Sequence, residues 1–337
     1  MSKPGTVRIG PVLALPVVLA EMGIDPGHAF SEAGVDLGIF QDGDNRLPIE
    51  SLGRLFESSA RLANCSHIGL LVGERFDLMG LGLIGELMRN SATVGDALRS
   101  LLQHLHLHDR GAAPLLLAPD PAYVILAYSV YQHSTPATAC IYDAAIAIGY
   151  RILRELCGPG WKPLRVQFAY RQPDKAAPYR RVFKSTVDFD ADVSGIVFDA
   201  IWLQHPIRGA DAARHEVLAR AIQDAEAAGR MSFAERVQGV LHQMVLSDTA
   251  SAAEIAFLFG IHERTLRRRL KFDGKNLQRL VNEARYELAK HFLQNTGLAV
   301  SEIATALKYA DPNIFSRAFR NWSGASPKQW REACRIG

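Results

Sequence analysis

The chain has 337 residues, 48% of them hydrophobic and 22% charged, with a formal net charge of +3 at pH 7. That length leaves room for about two domains with separate cores, and the balanced composition excludes a disordered, collagen-like or disulfide-dense chain. The four cysteines, Cys65, Cys140, Cys157 and Cys334, form no CxxC pair, so neither a structural zinc site nor a disulfide framework is expected and a reducing cytoplasm is the simpler setting.

Lys3 and Arg8 precede Pro11-Val-Leu-Ala-Leu-Pro-Val-Val-Leu-Ala20, which loosely imitates a secretion signal. The run is short, is broken by Pro16 and passes into Glu21 without a small-x-small cleavage site, so a buried first helix is the better reading. No run reaches the roughly 18 apolar residues of a membrane span.

Residues 11–110 read as mainly helical. Asp25-Pro26 opens a helix to about Ala33, with proline at the first helical position and Gly34 past the end. A second runs from Pro48 to Ala63 with Leu52, Leu55, Phe56 and Ser59 on one face, and a third from Thr93 to His108. The texture then changes. Leu115–Ala118 and Tyr123–Val130, split by Pro119-Asp-Pro121, suggest a β-hairpin. Thr138 to Leu156 is a strong helix, and Leu164–Tyr170, Thr186–Phe189 and Gly195–Phe198 return to strand. An α+β domain over residues 1–206 is expected, then a linker at 207–229. There the Ala-rich, charged stretch from Asp211 to Gly229 suits an exposed or coupling helix better than core.

This half offers three candidate sites, each with a plainer account. Gly80-Leu-Gly-Leu-Ile-Gly85 spells the GxGxxG dinucleotide fingerprint. That motif needs a preceding strand, a βαβ unit and an acidic residue about 20 positions on. Only Arg75–Met79 precedes it and position 100 is Ser, so close packing at a glycine-rich helix start is preferred. His104, His106 and His108 have a spacing at which i and i+4 side chains on a helix share an ion. No third ligand of persuasive spacing accompanies them, and no metal or other cofactor is expected. Asp188, Asp190 and Asp192 alternate with apolar or small neighbours, as on a solvated edge or turn. Neither a GxSxG motif nor a Cys-His pair in catalytic context is present, so an enzyme is not expected.

The most informative stretch is Ser251 to Lys271. Ser251 and Glu254 form a capping-box pattern, Ile255, Leu258 and Phe259 give an apolar helix face, and Gly260 suits a left-handed stop. A second helix follows at about Glu263, with Leu266 and Leu270 inward and Arg264, Arg267, Arg268 and Lys271 facing elsewhere. That is the order of a helix-turn-helix unit. The pattern repeats: Ile303-Ala304 lies 48 residues beyond Ile255-Ala256, whereas Phe315, Arg317 and Phe319 lie 49 beyond Leu266, Arg268 and Leu270. The slip falls in the turn, where an insertion costs least. Leu277 to Gln294, apolar at 277, 280, 281, 284, 288, 289 and 292, reads as an amphipathic connector of about 27 Å. Such a connector could set two recognition helices about one DNA turn apart, roughly 34 Å, and would suit an asymmetric site. Charge follows the repeat. Residues 230–337 carry 17 Lys/Arg and 10 Asp/Glu, a net +7, against −4 for residues 1–229, the footprint of a nucleic-acid binder.

Residues 236–333 resemble the DNA-binding domain of the AraC/XylS family of bacterial transcription regulators. The resemblance rests on Arg264–Leu270, Arg285–Leu293, Ser301–Ala304 and above all Asn313–Arg331. Lys308 stands where that family usually has Gly at the second turn, and His262 where it usually has a Ser cap. The first half resembles the arabinose-binding-like effector domain of the ornithine-responsive-regulator subgroup, through short matches in order. Among them are Gly34-Val-Asp36, His67-Ile-Gly-Leu70, Gly80-Leu-Gly82, Trp161–Val166 and Tyr179–Phe183.

Carried over position by position, the resemblance places Arg264, Arg267 and Arg268 of the first recognition helix at base edges or nearby phosphates. Asn313, Ser316 and Arg317 take that place in the second. Arg can bridge guanine O6/N7 and Asn can pair with adenine N6/N7. Arg269, Lys271 and Arg320 would hold phosphates. Leu266, Leu270, Phe315, Phe319 and Trp322 would be core, with Pro327 bounding the helix after the second reader. The implied molecule is a cytoplasmic regulator, an activator, with an α+β effector-sensing and dimerising domain before an all-α double helix-turn-helix domain at 230–337. Its implied partners are double-stranded DNA, a small-molecule effector, RNA polymerase and a second copy in a homodimer. Two alternatives stay open: a ligand-independent regulator whose first domain serves dimerisation or protein contact, and an enzyme fused to a DNA-binding module.

Overall fold

The structure, a computed structural model, describes residues 5–104, 112–130, 135–228, 232–246, 248, 250–259 and 261–336. Two compact units divide the chain, Met1–Asp190 with Ser194–Ala225, and Ala191–Val193 with Glu226–Gly337.

In the first unit, β1 (Thr6–Arg8) pairs antiparallel with β2 (Arg46–Pro48), setting Val7 opposite Leu47. The helices around this ribbon are α1 (Leu15–Glu21), α2 (Pro26–Ala33), α3 (Ile49–Leu62), α4 (Ile68–Glu74), α5 (Leu83–Arg89) and α6 (Val94–His104). In α2 the local sequence dictates both ends. The Asp25 carboxylate accepts the Gly27 N–H at 3.0 Å, Pro26 opens the helix, and Gly34 stops it at φ 69°. The residues expected on the inner face of α3, Leu52, Leu55, Phe56 and Ser59, are buried. His104 closes the described part of α6, and His106 and His108 lie outside the described residues. No group of three or more His, Cys, Asp or Glu placed to hold a metal occurs among the described residues.

A five-stranded sheet follows, from β3 (Ala112–Asp120), β4 (Tyr123–Val130), β5 (Arg165–Gln167), β6 (Val187–Asp188) and β7 (Gly195–Asp199). Its order is β3-β4-β7-β5-β6, and the β5–β6 pair is parallel. The strands expected over Leu164–Tyr170 and Thr186–Phe189 are shorter than their apolar runs. Gln167 pairs with Gly195, where β7 begins; beyond it the Phe168 N–H still donates to the Asp188 carbonyl at 2.9 Å, but the Ala169 N–H turns to the Ser194 hydroxyl at 3.0 Å. The helix α7 (Thr138–Cys157) packs on β4 and β7. Its Ile146, Tyr150 and Leu153 share a core with Leu126, Ile196, Phe198, Trp161 and Phe168. α4 crosses α7 at backbone distance. A Cβ on Gly69 would collide with the Cys140 carbonyl, and one on Gly73 would lie 2.5 Å from the Ala144 carbonyl oxygen.

The glycine-rich segment Gly80–Gly85 is not a nucleotide loop. Its first two residues close a 3-10 turn, Leu78–Leu81, and Gly82 at φ 55° leads into α5. α8 (Ala177–Phe183) and α9 (Ala212–Ala228) complete the unit. α9 occupies the segment expected to be an exposed connector, yet its Leu218 and Ile222 are buried in the sheet-side core. The compact unit therefore runs past Pro206 to Ala225.

Among the described residues the regular elements of the second unit are helices: α10 (Phe233–Leu246), α11 (Ala252–Leu258), α12 (Glu263–Phe272), α13 (Leu277–Asn295), α14 (Val300–Ala306), α15 (Pro312–Ser323) and α16 (Pro327–Ile336). α13 is its spine, with α10, α14, α15 and α16 packed along it. Leu280, Ala284 and Leu288 of α13 are fully buried, and His242 Nε2 of α10 meets Glu287 Oε2 at 2.8 Å. Among the described residues no helix is long and apolar enough to cross a membrane.

Candidate nucleic-acid interface

The two helix pairs, α11–α12 and α14–α15, are closed by the same turn. The Ile261 N–H donates to the Ala256 carbonyl at 2.9 Å, and the Tyr309 N–H donates to the Ala304 carbonyl at 2.9 Å, 48 residues on. The N-caps His262 and Asp311 are 49 apart, which puts the extra residue at Ala310. Gly260, the expected stop of the first turn, lies outside the described residues. Its counterpart Lys308 adopts the left-handed conformation at φ 61°, where a side chain costs about 1–2 kcal/mol that glycine would not. The second turn thus takes a left-handed residue with a lysine in that place.

Capping is divided unequally between the copies. In the first, the Ser251 hydroxyl accepts the Glu254 N–H at 3.1 Å, while His262 gives no side-chain cap to α12. In the second, Glu302 Oε2 accepts the Ala299 N–H at 2.5 Å, and the Asp311 carboxylate caps α15 through the Asn313 N–H at 2.6 Å. Each copy thus retains the cap that the other lacks.

Leu266 and Leu270 of α12, like Phe315 and Phe319 of α15, are buried, which fixes the face each helix turns outward. At about 100° per residue, Arg264, Arg267, Arg268 and Lys271 fall within an arc of about 100° on the opposite side. All four are exposed. Arg267 Nη2 lies 3.5 Å from Glu263 Oε2, but both side chains are largely in water, so solvent screens the pair. Asn313, Ser316, Arg317 and Arg320 occupy the same four positions on α15; Ser316 is half-buried and the other three are exposed. Arg269 lies off the arc, its guanidinium 5.4 Å from the Phe233 ring centroid. Trp322, expected in the core, is half-buried, because it sits beside Tyr286 at 5.6 Å near the end of α15. That helix ends at Gly324, φ 78°, and Pro327 opens α16.

α13 joins the copies, packing directly on α14 and α15 and through α10 on α12. Its 19 residues span about 28 Å. Tyr286 packs between Phe319 and Trp322, and the Arg285 guanidinium lies 5.2 Å from the Tyr309 ring centroid in the second turn. Burial raises the Tyr286 phenol and lowers the ammonium of Lys290, which lies 4.6 Å from the Tyr286 ring centroid. Sequence reasoning did not single out Ile314, an exposed apolar side chain beside Asn313. Its signal was an apolar residue flanking an otherwise polar face, the kind of group that can meet a thymine methyl.

Residues 23–207 match the model of the arabinose-binding domain of AraC transcription regulators, and residues 255–333 match a helix-turn-helix domain. The chain belongs to the AraC family of transcription regulators. This AraC-family protein is 27% identical to the HTH-type transcriptional regulator VirS of Mycobacterium tuberculosis over 93% of each chain. It is 26% identical to the ornithine utilization regulator of Pseudomonas aeruginosa, over 95% of this chain and 94% of that one. The crystal structure of the transcriptional regulator CdpR from Pseudomonas aeruginosa is 21% identical and aligns over 94% of this chain and 96% of its own with a TM-score of 0.49. The AraC-family chain is a DNA-binding transcription regulator rather than an enzyme, with an arabinose-binding-like first domain and a helix-turn-helix second one.

Proposed function

We propose that this AraC-family regulator reads an asymmetric operator with both helix pairs and activates transcription under the control of a small molecule bound to the first unit. The reading is carried by the positional match between the outward faces of α12 and α15. Two four-residue sets in the same places, joined by a stiff spacer, suit successive major-groove contacts. Arg264, Arg267 and Arg268 read guanine edges in one half of the site. Asn313 pairs with adenine in the other half, with Ser316 and Arg317 beside it. Lys271 and Arg320, at the ends of the two faces, hold phosphates, and so does Arg269 from beside the first. The protein acts in the cytoplasm as a homodimer that meets RNA polymerase at the promoter.

Effector control requires that the ligand bind the DNA-competent state better than the other, with a coupling of about 1–3 kcal/mol in typical cases. The test is selection of a binding site from random duplexes by the full chain, then titration of that duplex with and without a metabolite panel. A change in operator affinity with one compound supports effector control. Constant affinity across the panel, with the chain folded, favours the ligand-independent regulator.

A further inference from the structure

Resting on the effector-control reading, the geometry points to a cavity inside the first unit as the effector site, and to a short- or medium-chain aliphatic carboxylate as its ligand. The cavity, of about 110 Å³, lies between the sheet, α7 and the β1 region. Its walls include Ile49, Leu52, Leu126, Ile148 and Ile196, and among its lining residues Arg8 is the one charged side chain and Tyr128 the one hydroxyl. Gly149 of α7 keeps the space open. A Cβ there would lie 3.3 Å from Ile196 Cδ1 and 3.5 Å from Leu126 Cδ2.

Arg8 is brought to this wall by the glycine-rich segment that no nucleotide role absorbed. A Cβ on Gly82 would lie 3.0 Å from both terminal nitrogens of the guanidinium, a contact tight enough that the Arg8 side chain would have to shift by a few tenths of an ångström. The Arg8 side chain is 16% exposed and pairs with Asp44, which is 73% exposed. A ligand carboxylate can share or replace that solvent-screened partner while its chain enters the cavity. Bidentate pairing with a carboxylate is what a guanidinium does best.

Size and chemistry narrow the class. A dry apolar cavity of roughly 150 Å³ holds the six carbons of benzene, so this one of about 110 Å³ takes a chain of about four or five carbons with its head at Arg8. A pentose fits poorly, because each hydroxyl buried without a partner costs about 1–3 kcal/mol. Ornithine fits no better, since no acidic residue lines the cavity to receive its ammonium groups.

The experiment is thermal melting and calorimetric titration of the full chain with a carboxylate series from butanoate to dodecanoate. Pentan-1-ol, arabinose and ornithine complete the panel. Pentanoate or hexanoate is expected to raise the melting temperature saturably. Arg8→Gln should weaken that binding at least tenfold while leaving pentan-1-ol unchanged. Ala145→Leu, which fills the cavity from α7, should abolish both without lowering the melting temperature of the ligand-free chain. If Arg8→Gln does not fold, Ala145→Leu alone decides. Binding of the carboxylates unchanged by Ala145→Leu overturns the cavity assignment. So does a different panel compound that stabilises the chain and shifts operator affinity equally in wild type and Ala145→Leu, which would leave effector control standing. Silence of the whole panel in both melting and operator affinity overturns the cavity assignment, and the wider metabolite titration of the operator then decides effector control separately.

Discussion

At the scale of single residues, the proposed roles on the matched faces predict two kinds of contact. Arg268→Ala or Arg317→Ala is expected to cost about 1–3 kcal/mol of binding to the selected operator and much less on unrelated duplex, as for the loss of one base contact. Lys271→Ala or Arg320→Ala should weaken both duplexes alike and lower the slope of log affinity against log salt by about 1. Titrations at several salt concentrations distinguish the two, and equal losses on both duplexes for Arg268 would remove it from base reading. These positions were legible because the 49-residue offset ties Arg264 to Asn313 and Arg268 to Arg317. The stacking of Arg269 on Phe233 was not legible, since it depends on where α10 lies. Nor was the state of Asp143. Its carboxyl is fully buried in α7, accepts the hydroxyls of Tyr170 and Tyr179, the latter at 2.8 Å, and is pushed by burial up to about 7. Between about pH 4 and 7 the folded chain keeps a proton that the unfolded chain has released, so this group's support falls as pH rises and levels off above 7. His67, held low by burial, runs the opposite way below about 6.5. A difference measurement isolates the aspartate: the melting temperature of Asp143→Asn relative to wild type should climb from pH 5 to 7. A flat difference would contradict the raised value.

Elements were legible where one helix could be read from its own spacing, and obscure where a neighbour decided. The face of α3, the caps of α2 and the apolar stripe of α13 all follow from period and punctuation. α4 and α5 do not. Each has seven residues, and their glycines, Gly69, Gly73 and Gly85, lower intrinsic helix preference. They are helical because a neighbouring backbone needs the missing side chain. Gly73→Ala is therefore expected to destabilise the first unit despite alanine's better propensity. Its Cβ would meet the Ala144 carbonyl oxygen at 2.5 Å and the Ala147 Cβ at 2.6 Å, and overpacking of this kind costs about 1–3 kcal/mol. Thermal melting checks it, and a variant as stable as wild type would show that α4 can move aside. The cavity was hidden for a related reason. Its lining is drawn from positions between Val7 and Ile196, and no local pattern marks residues that meet only through the sheet and α7.

Across the whole molecule, charge and spacing work together. The second part of the chain carries +7 against −4 for residues 1–229, so attraction to DNA is concentrated on the α13 spine and its readers. Because α13 is one helix of about 28 Å, the distance between the readers is set by the protein. Inserting 5 bp between the halves of the selected operator turns one half about half a turn away and adds about 17 Å. Affinity should fall to that of a single half-site, whereas retained affinity would mean that the readers move independently. The unequal caps add an order of events. Asp311 secures the first turn of α15, whereas His262 leaves that of α12 without a side-chain cap. A missing cap is worth about 1 kcal/mol, so the start of α12 is expected to fray about fivefold more often. Arg264 rides on that turn and Asn313 on the capped one. On the proposed reading the second helix would meet DNA already shaped and the first would complete its shape on contact, which concentrates the ordering cost of binding in a single helical turn. Amide exchange at Arg264 and Thr265 would record it, fast in the free protein and slowed on the operator.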